Sequence, residues 1–312
     1  KSREDLMFVT KNFIPPLIEP VLGDYQRGIP AARDAQVLNL FASVINKMKG
    51  DMCAEVPHIF QAVLSSTLEM ITQNFEDYPE HRENFYQLLK AVVRHCFAGI
   101  FNIPPEYQKS VIDSIIWGFK HTDRLIANLG LEILLEFLGH VEKQPTIAQQ
   151  IYKAYYIPIL KDVLYVLTDR LHKSQFHLQT VVLRHMCRLI ESGAASAPLW
   201  DPRTDSGVQS NQQYVRVYIA KLLAGAFPNL NQQQIQSFVV GFFDLNKTEH
   251  AYKTHARDFL ISLREFNGED NSGLYNDELE QKKEMAKQAD LARRSAVPGM
   301  LNPNTEIDDD DL

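Results

Sequence analysis

The chain has 312 residues, 45% hydrophobic and 23% charged, with a formal net charge of −7. This balance excludes a collagen-like or largely disordered chain, and 14 Gly with 15 Pro leave few of the turns that an all-β sandwich of this length needs. Glu306 and Asp308 to Asp311 carry much of the negative charge, so the remainder is close to neutral and lacks the basic excess of a DNA-binding or membrane-surface protein.

Apolar residues at i, i+3, i+4, i+7 and i+11 are the mark of an amphipathic helix, and that template recurs along the chain. A helical pattern is already running at Leu6, behind Lys1, so the chain reads as a piece of something longer. Pro15, Pro16 and Pro20 lie deep enough to kink the first helix, and Gly23-Asp24 through Pro30 reads as a turn. Val37, Leu40, Phe41, Val44 and Met48 fill the template, and Phe60, Val63, Leu64, Leu68 and Ile71 mark a helix entered at Pro57. After a turn at Asp77-Tyr78-Pro79, Phe85, Leu88, Leu89, Val92 and Cys96 fill it again. Pro104 and Pro105 open a helix carrying Ile112, Ile115, Ile116 and Phe119, and the turn Lys120-His121-Thr122-Asp123 leads to Ile126, Leu129, Ile133 and Phe137.

Pro145 opens the next helix, which Pro158 should kink; Leu178, Val181, Val182, His185 and Leu189 follow, with His185 taken as core-facing. Gly193 to Gln213 is a long loop in which Trp200 serves as a packing anchor. Ile235, Phe238, Val239 and Phe242, then Tyr252, Ala256, Phe259, Leu263 and Phe266, complete the series. Pairs that start near Asn12, Glu55, Pro104 and Ala148 repeat every roughly 43 to 49 residues, close to the HEAT or armadillo period and longer than the TPR period. Each turn within a pair is followed by an arginine: Arg33, Arg82 and Arg124. The expectation is an all-α HEAT-repeat solenoid of stacked antiparallel helix pairs over residues 1–268, about five to six pairs. A C-terminal helical arm follows over 269–296, and a disordered acidic tail over 297–312.

Within the arm, strong helix formers and alternating charge surround a thin apolar stripe of Leu274, Leu279, Met285 and Leu291, which by itself favours a solvated cap. Lys282-Lys283 and Arg293-Arg294 resemble a split basic import signal, but the acids between them suit ordinary i, i+4 pairing better. No Gly-rich phosphate loop, nucleophile elbow, H-E-x-x-H or C-x-x-C is present, and His250 and His255 diverge by about 140° around a helix. His95 beside Cys96 points a different way around the same helix, so Cys96 reads as structural. The expectation is no enzyme, cofactor or metal. The three cysteines, Cys53, Cys96 and Cys187, suit a reducing compartment.

Several words carry a more specific resemblance. They are Asp24-Tyr25-Gln26-Arg27, Glu80-His81-Arg82-Glu83-Asn84-Phe85 and Asp113-Ser114-Ile115-Ile116-Trp117-Gly118-Phe119-Lys120-His121-Thr122, then Ala226-Phe227-Pro228, Arg257-Asp258-Phe259-Leu260, Glu265-Phe266-Asn267-Gly268-Glu269-Asp270 and Ser295-Ala296-Val297-Pro298-Gly299. In this order they resemble the C-terminal part of the nuclear export receptors of the karyopherin-β family. The resemblance implies a ring-shaped HEAT receptor that carries leucine-rich export-signal cargo through nuclear pores with GTP-bound Ran. It implies a monomer that shuttles between nucleus and cytoplasm and binds neither DNA nor membrane. Cargo would engage repeats upstream of Lys1, whereas this arc would close the ring and meet Ran and Phe-Gly nucleoporins. The resemblance turns the arm into a regulatory crossing helix, docking through Leu274, Leu279, Met285 and Leu291, with Asp308, Asp309, Asp310 and Asp311 as an electrostatic latch. Arg33, Lys47, Lys90, Arg94 and Arg124 become the candidate inner-surface contacts. The alternative is a generic HEAT scaffold for a multiprotein complex without Ran dependence.

Overall fold

A computed structural model of the chain describes residues 8–9, 12–74, 76–203, 205, 207–265, 272–275, 278–279 and 282–288. It divides into two units, Lys1–Leu263 and Arg264–Leu312. Among the described residues there is no strand, and the first unit is an all-α, HEAT-like solenoid.

Its first eight long helices are α1 (Ile14–Arg27), α2 (Gln36–Met48), α3 (Val56–Ile71), α4 (Pro79–His95), α5 (Pro105–Phe119), α6 (Arg124–Glu142), α7 (Pro145–Thr168) and α8 (Phe176–Glu191). They form two layers. The odd-numbered helices pack in sequence, α1 on α3, α3 on α5 and α5 on α7, while the even-numbered helices do the same from α2 to α8. Contact is far more extensive in the even layer than in the odd one. Three further helices, α9 (Asn211–Ala226), α10 (Gln232–Phe242) and α11 (Glu249–Glu265), extend the array. The Tyr252 hydroxyl of α11 donates to Cys187 Sγ of α8 at 3.7 Å, and Phe259 of α11 stacks on Phe238 of α10.

Local chemistry explains the helix boundaries. Helices α1, α3, α4, α5 and α7 carry proline in their first two positions, where a missing N–H costs nothing. Asp123 caps α6 by accepting from Leu125 N and Ile126 N at 2.8 and 3.1 Å, and Asn231 with Gln234 forms a capping box on α10. Pro15 and Pro16 belong to this first-turn class, so the kink expected from them does not arise, whereas Pro20 and Pro158 do lie inside helices. Helix α1 also runs on to Arg27, so the turn begins at Gly28 rather than at Gly23.

The repeat register is visible in the polar contacts. Tyr25 to Thr67 (2.8 Å), Lys90 to Glu132, Arg94 to Glu136 and Lys120 to Asp162 (3.1 Å) all span 42 residues. Each joins a position in one pair to its counterpart in the next. Between them lies an apolar core of fully buried Phe41, Phe60, Phe85, Phe119 and Phe137. Burial of such side chains contributes about 1.5–3 kcal/mol each. Two of the buried tyrosines keep a backbone partner, Tyr86 Oη donating to Ser114 O at 2.7 Å and Tyr156 Oη to Met186 O at 2.9 Å, whereas the buried Tyr152 hydroxyl has none.

Helices α5 and α6 approach to backbone contact. A Cβ on Gly130 would lie 2.6 Å from Gly118 C and 2.9 Å from Phe119 Cα, and one on Gly118 would meet the Tyr86 ring. Arg82 closes the preceding turn. Its Nη2 donates to the carbonyls of Ile71, Asn74 and Asp77 at 3.1, 2.9 and 2.8 Å, and its guanidinium lies 5.8 Å from the Trp117 ring centre.

The loop after α8 runs from Ser192 to Ser210, three residues shorter at its end than the composition suggests, because Ser210 caps α9. It is pinned by side-chain amides. Gln149 donates to Ala194 O and accepts from Ser196 N and Ala197 N; Asn211 accepts from Leu199 N and donates to Ala195 O and Ala197 O. Trp200 is half-buried with its ring 6.2 Å from Tyr214. In the second unit, Ser272–Tyr275 forms a 3₁₀ turn with Leu274 buried, and residues 278–279 and 282–288 are helical.

Candidate protein-interaction surface

Among the five cations singled out in the sequence, Arg33, Lys90 and Arg94 bond to neighbouring helices. Arg33 Nε donates to Tyr25 O at 3.1 Å and its Nη1 to Ser66 O at 3.0 Å, so it staples α1 to α3. Lys90 and Arg94 on α4 bond Glu132 and Glu136 on α6, and that carboxylate holds the Arg94 guanidinium above its usual value. The same strip of charge continues along the even layer. Glu142 of α6 accepts from Arg188 of α8 at 2.7 Å, with His185 3.8 Å away, and Glu191 of α8 accepts from Arg216 of α9 at 2.9 Å. Partly exposed pairs of this kind are worth about 0.2–1 kcal/mol, so an anionic partner could exchange them cheaply. Lys47 and Arg124 stand exposed near the end of α2 and at the start of α6.

His185 sits at the edge of α8 rather than in its core, half-buried beside Arg188 and Glu142. Burial first, and then the Arg188 cation, hold its imidazole below the ordinary value. It lines a cleft of about 260 Å³ of mixed character, with Arg184, Arg188 and Glu249 beside Leu135, Val181 and Leu245.

A different kind of surface lies on the odd layer. Because α5 and α7 touch only sparingly, a cleft of about 480 Å³ opens between them, floored by Ile116 and Trp117 and walled by Tyr165 and Leu171. Tyr165 is 57% and Leu171 68% exposed, unusual for side chains of this size. The rim is polar: Lys120 pairs with Asp162, and His172 Nδ1 lies 2.6 Å from Asp169 Oδ2 while its Nε2 lies 3.1 Å from Lys120 O. Trp117 is braced from beneath by the parallel Tyr86 ring, 6.4 Å between centres. An apolar floor with a charged rim suits one aromatic or aliphatic side chain of an extended peptide. Sequence reading passed over this cleft, although Leu171, a large apolar residue beside charged Arg170 in a linker, is the signal that could have marked it.

On the arm, Leu274 is buried whereas Leu279 and Met285 are 50% and 67% exposed. Lys282, Lys283, Glu284 and Lys287 are exposed as well. Leu291, Arg293, Arg294 and Asp308 to Asp311 lie outside the described residues. His255 is engaged structurally, its Nε2 3.0 Å from Phe238 O. Among the described residues no cluster of three or more His, Cys, Asp or Glu side chains could hold a metal, and no helix is long and apolar enough to cross a membrane.

Residues 1–268 match the family described as "CRM1 C terminal". The chain is 44% identical over 301 residues to Exportin-1 of Schizosaccharomyces pombe and 43% identical over 308 residues to Protein EXPORTIN 1A of Arabidopsis thaliana. It is 41% identical over 303 residues to Exportin-1 of Drosophila melanogaster. These alignments cover 96–98% of this chain but only 28% of each relative. With the family match spanning the whole helical array and its relatives following the chain nearly from end to end, this protein belongs to the CRM1 C-terminal family.

Proposed function

We propose that the chain is the C-terminal arc of an exportin-1-type nuclear export receptor, a transport protein rather than an enzyme. The receptor carries leucine-rich export-signal cargo through nuclear pores with GTP-bound Ran and shuttles between nucleus and cytoplasm as a monomer. The observation that carries this reading is collinear identity of 41–44% to exportin-1 proteins over nearly all of the chain. In this proposal cargo engages upstream repeats. This arc closes the ring, offers Lys47, Arg124 and the exchangeable Lys90 and Arg94 to Ran or to other parts of the receptor, and presents the α5–α7 cleft to Phe-Gly nucleoporins. The arm, through Leu279, Met285 and Leu291, and the tail, through Asp308 to Asp311, restrain cargo binding until Ran binds. The exposure of Leu279 and Met285 supports an arm that docks elsewhere, since a thin stripe left in water has no stabilising role of its own.

The test is export-peptide affinity of the full-length receptor, with and without residues 274–312, at two salt concentrations and with and without GTP-loaded Ran. Ran-dependent binding and tighter Ran-free binding on truncation, part of it lost at high salt, are expected. Equal affinity in every arm of the experiment would return the chain to a generic HEAT scaffold.

A further inference from the structure

Two of the three cysteines meet across a repeat boundary. Cys53 follows the 3₁₀ turn Lys49–Met52 between α2 and α3 and is partly exposed; Cys96 ends α4 and is 1% exposed. Their contacts are reciprocal. Cys53 Sγ donates to His95 O at 3.6 Å, the carbonyl next to Cys96, while Cys96 Sγ donates to Lys49 O at 3.3 Å, at the head of the turn that leads to Cys53. Each thiol thus bonds to the backbone beside the other cysteine, so the two side chains belong to one contact between the turns. The backbone fixes this arrangement: a Cβ on Gly99, just past Cys96, would lie 3.0 Å from Cys53 O and 2.9 Å from Val56 Cβ, so the two turns are already in van der Waals contact. Cys187 differs, buried with the Tyr252 hydroxyl as its partner and no thiol beside it.

We propose that Cys53 and Cys96 are a reversible dithiol modification site, closed to a disulfide by a peroxide and reopened by a dithiol reductant. Disulfides in reducing compartments are characteristically transient and redox-sensing, and the more accessible member of such a pair is the one an oxidant reaches first. Cys53 sulfur attacks hydrogen peroxide; the S–O bond forms, the O–O bond breaks, and water leaves with the thiol proton, giving a sulfenic acid. Cys96 sulfur then attacks Cys53 sulfur; the S–S bond forms, the S–O bond breaks, and hydroxide departs with the Cys96 proton as a second water. Two thiols and one peroxide thus yield one disulfide and two waters, the sulfur pair losing the two electrons that the peroxide gains. Burial pushes the Cys96 thiol upward, which disfavours it as the first nucleophile and leaves first attack to the more accessible Cys53. Closure removes both thiol donors from Lys49 O and His95 O and ties the α2–α3 turn covalently to the end of α4. The site stands on this chain's geometry and does not depend on the transport reading.

The experiment treats the reduced full chain with hydrogen peroxide under native conditions, alkylates remaining thiols in denaturant, and maps the peptides without reduction. The expected result is loss of two of the three alkylatable thiols, a single Cys53–Cys96 cross-linked peptide, and full recovery of three thiols after dithiothreitol. Cys187→Ser should give the same cross-link, while Cys96→Ser should leave a Cys53 sulfenic acid that dimedone traps. Three free thiols at peroxide doses that oxidise Cys53 in the Cys96→Ser variant would overturn the proposal. So would dimedone labelling of the unaltered chain as strong as that of the variant. The cross-link in the unaltered chain is itself the primary readout, so poor folding of a variant does not decide the outcome.

Discussion

Two glycines on one helix should respond to the same substitution with opposite signs. Gly130 and Gly139 both lie in α6, where Ala has the higher helix propensity by about 1 kcal/mol. At Gly139 nothing lies within 4 Å of an added Cβ, so Gly139→Ala should stabilise by about 0.5–1 kcal/mol. At Gly130 the added carbon would fall 2.6 Å from Gly118 C and 2.9 Å from Phe119 Cα, and nearer still to Phe119 N. These are backbone atoms that no rotamer change can remove, so α5 and α6 must separate. Overpacking of this kind costs about 1–3 kcal/mol, and a backbone clash belongs at the upper end; offset by about 1 kcal/mol of propensity, the net loss is about 2 kcal/mol. For a unit of this size that is a fall in melting temperature of roughly 4–8 °C against a rise of roughly 1–4 °C for Gly139→Ala. Thermal unfolding followed by circular dichroism and by Trp117 fluorescence measures both. If Gly130→Ala proves neutral or stabilising, α5 and α6 are not in backbone contact and the packing described for this pair is wrong.

Replacing Arg82 by Met leaves three turn carbonyls without their donor and should cost about 3 kcal/mol in urea denaturation. The same change removes a cation that disfavours protonation of His121, so NMR titration should place the His121 value higher in the variant, with burial still keeping it below the ordinary range. In the unaltered chain, burial first and the Arg82 charge second push His121 down to about 4. The unfolded chain therefore takes up a proton below about pH 6.5 that the folded chain refuses: the stability is complete above that pH and is lost as pH falls toward 4. The full shift corresponds to roughly 3 kcal/mol, which solvent screening reduces to about 1–2 kcal/mol; His121→Gln should flatten this part of a stability-versus-pH curve. For the α5–α7 cleft, Tyr165→Ala and Leu171→Ser should each weaken binding of a Phe-Gly peptide about 5- to 30-fold with under 0.5 kcal/mol change in stability, read by fluorescence anisotropy and urea denaturation. Unchanged affinity in both variants would remove the cleft as a docking site.

The periodicity of apolar residues made the helices, their pairing and their repeat length readable, because a helix packed on one side leaves a 3.6-residue signature. Where a helix is packed on more than one side the signature blurs. On α2 the template picks out Val37, Leu40, Phe41, Val44 and Met48, yet the buried face is Leu38, Phe41, Ala42 and Ile45, and Leu40 is 38% exposed. Apolar residues on both flanks allow two stripes, and only contact with α1 and α4 chooses between them. Helix α9 carries the opposite difficulty: Val215, Ile219 and Leu223 recur at four-residue spacing among polar residues, too thin a pattern to mark a helix.

Polar residues were least legible. The arginines after the turns formed a visible series, but what Arg33 and Arg82 bind is a set of backbone carbonyls whose directions depend on turn geometry, and no side-chain pattern records that. Gly118 and Gly130 did leave a trace, since a glycine inside a helix forfeits stability unless another chain needs the space. The cleft between α5 and α7 left almost none, because it is defined by how far apart two helices stand.

That separation has a mechanical meaning. The even-numbered helices form a joined spine, while α3, α5 and α7 touch one another only sparingly, so the array should flex about the spine by opening and closing gaps such as the one beside Trp117. A side chain wedged into that gap acts as a spacer and stiffens the joint between two repeats. Conversely, any force that bends the array changes the width of the gap and therefore the affinity of whatever fills it, the two being reciprocal expressions of one coupling free energy.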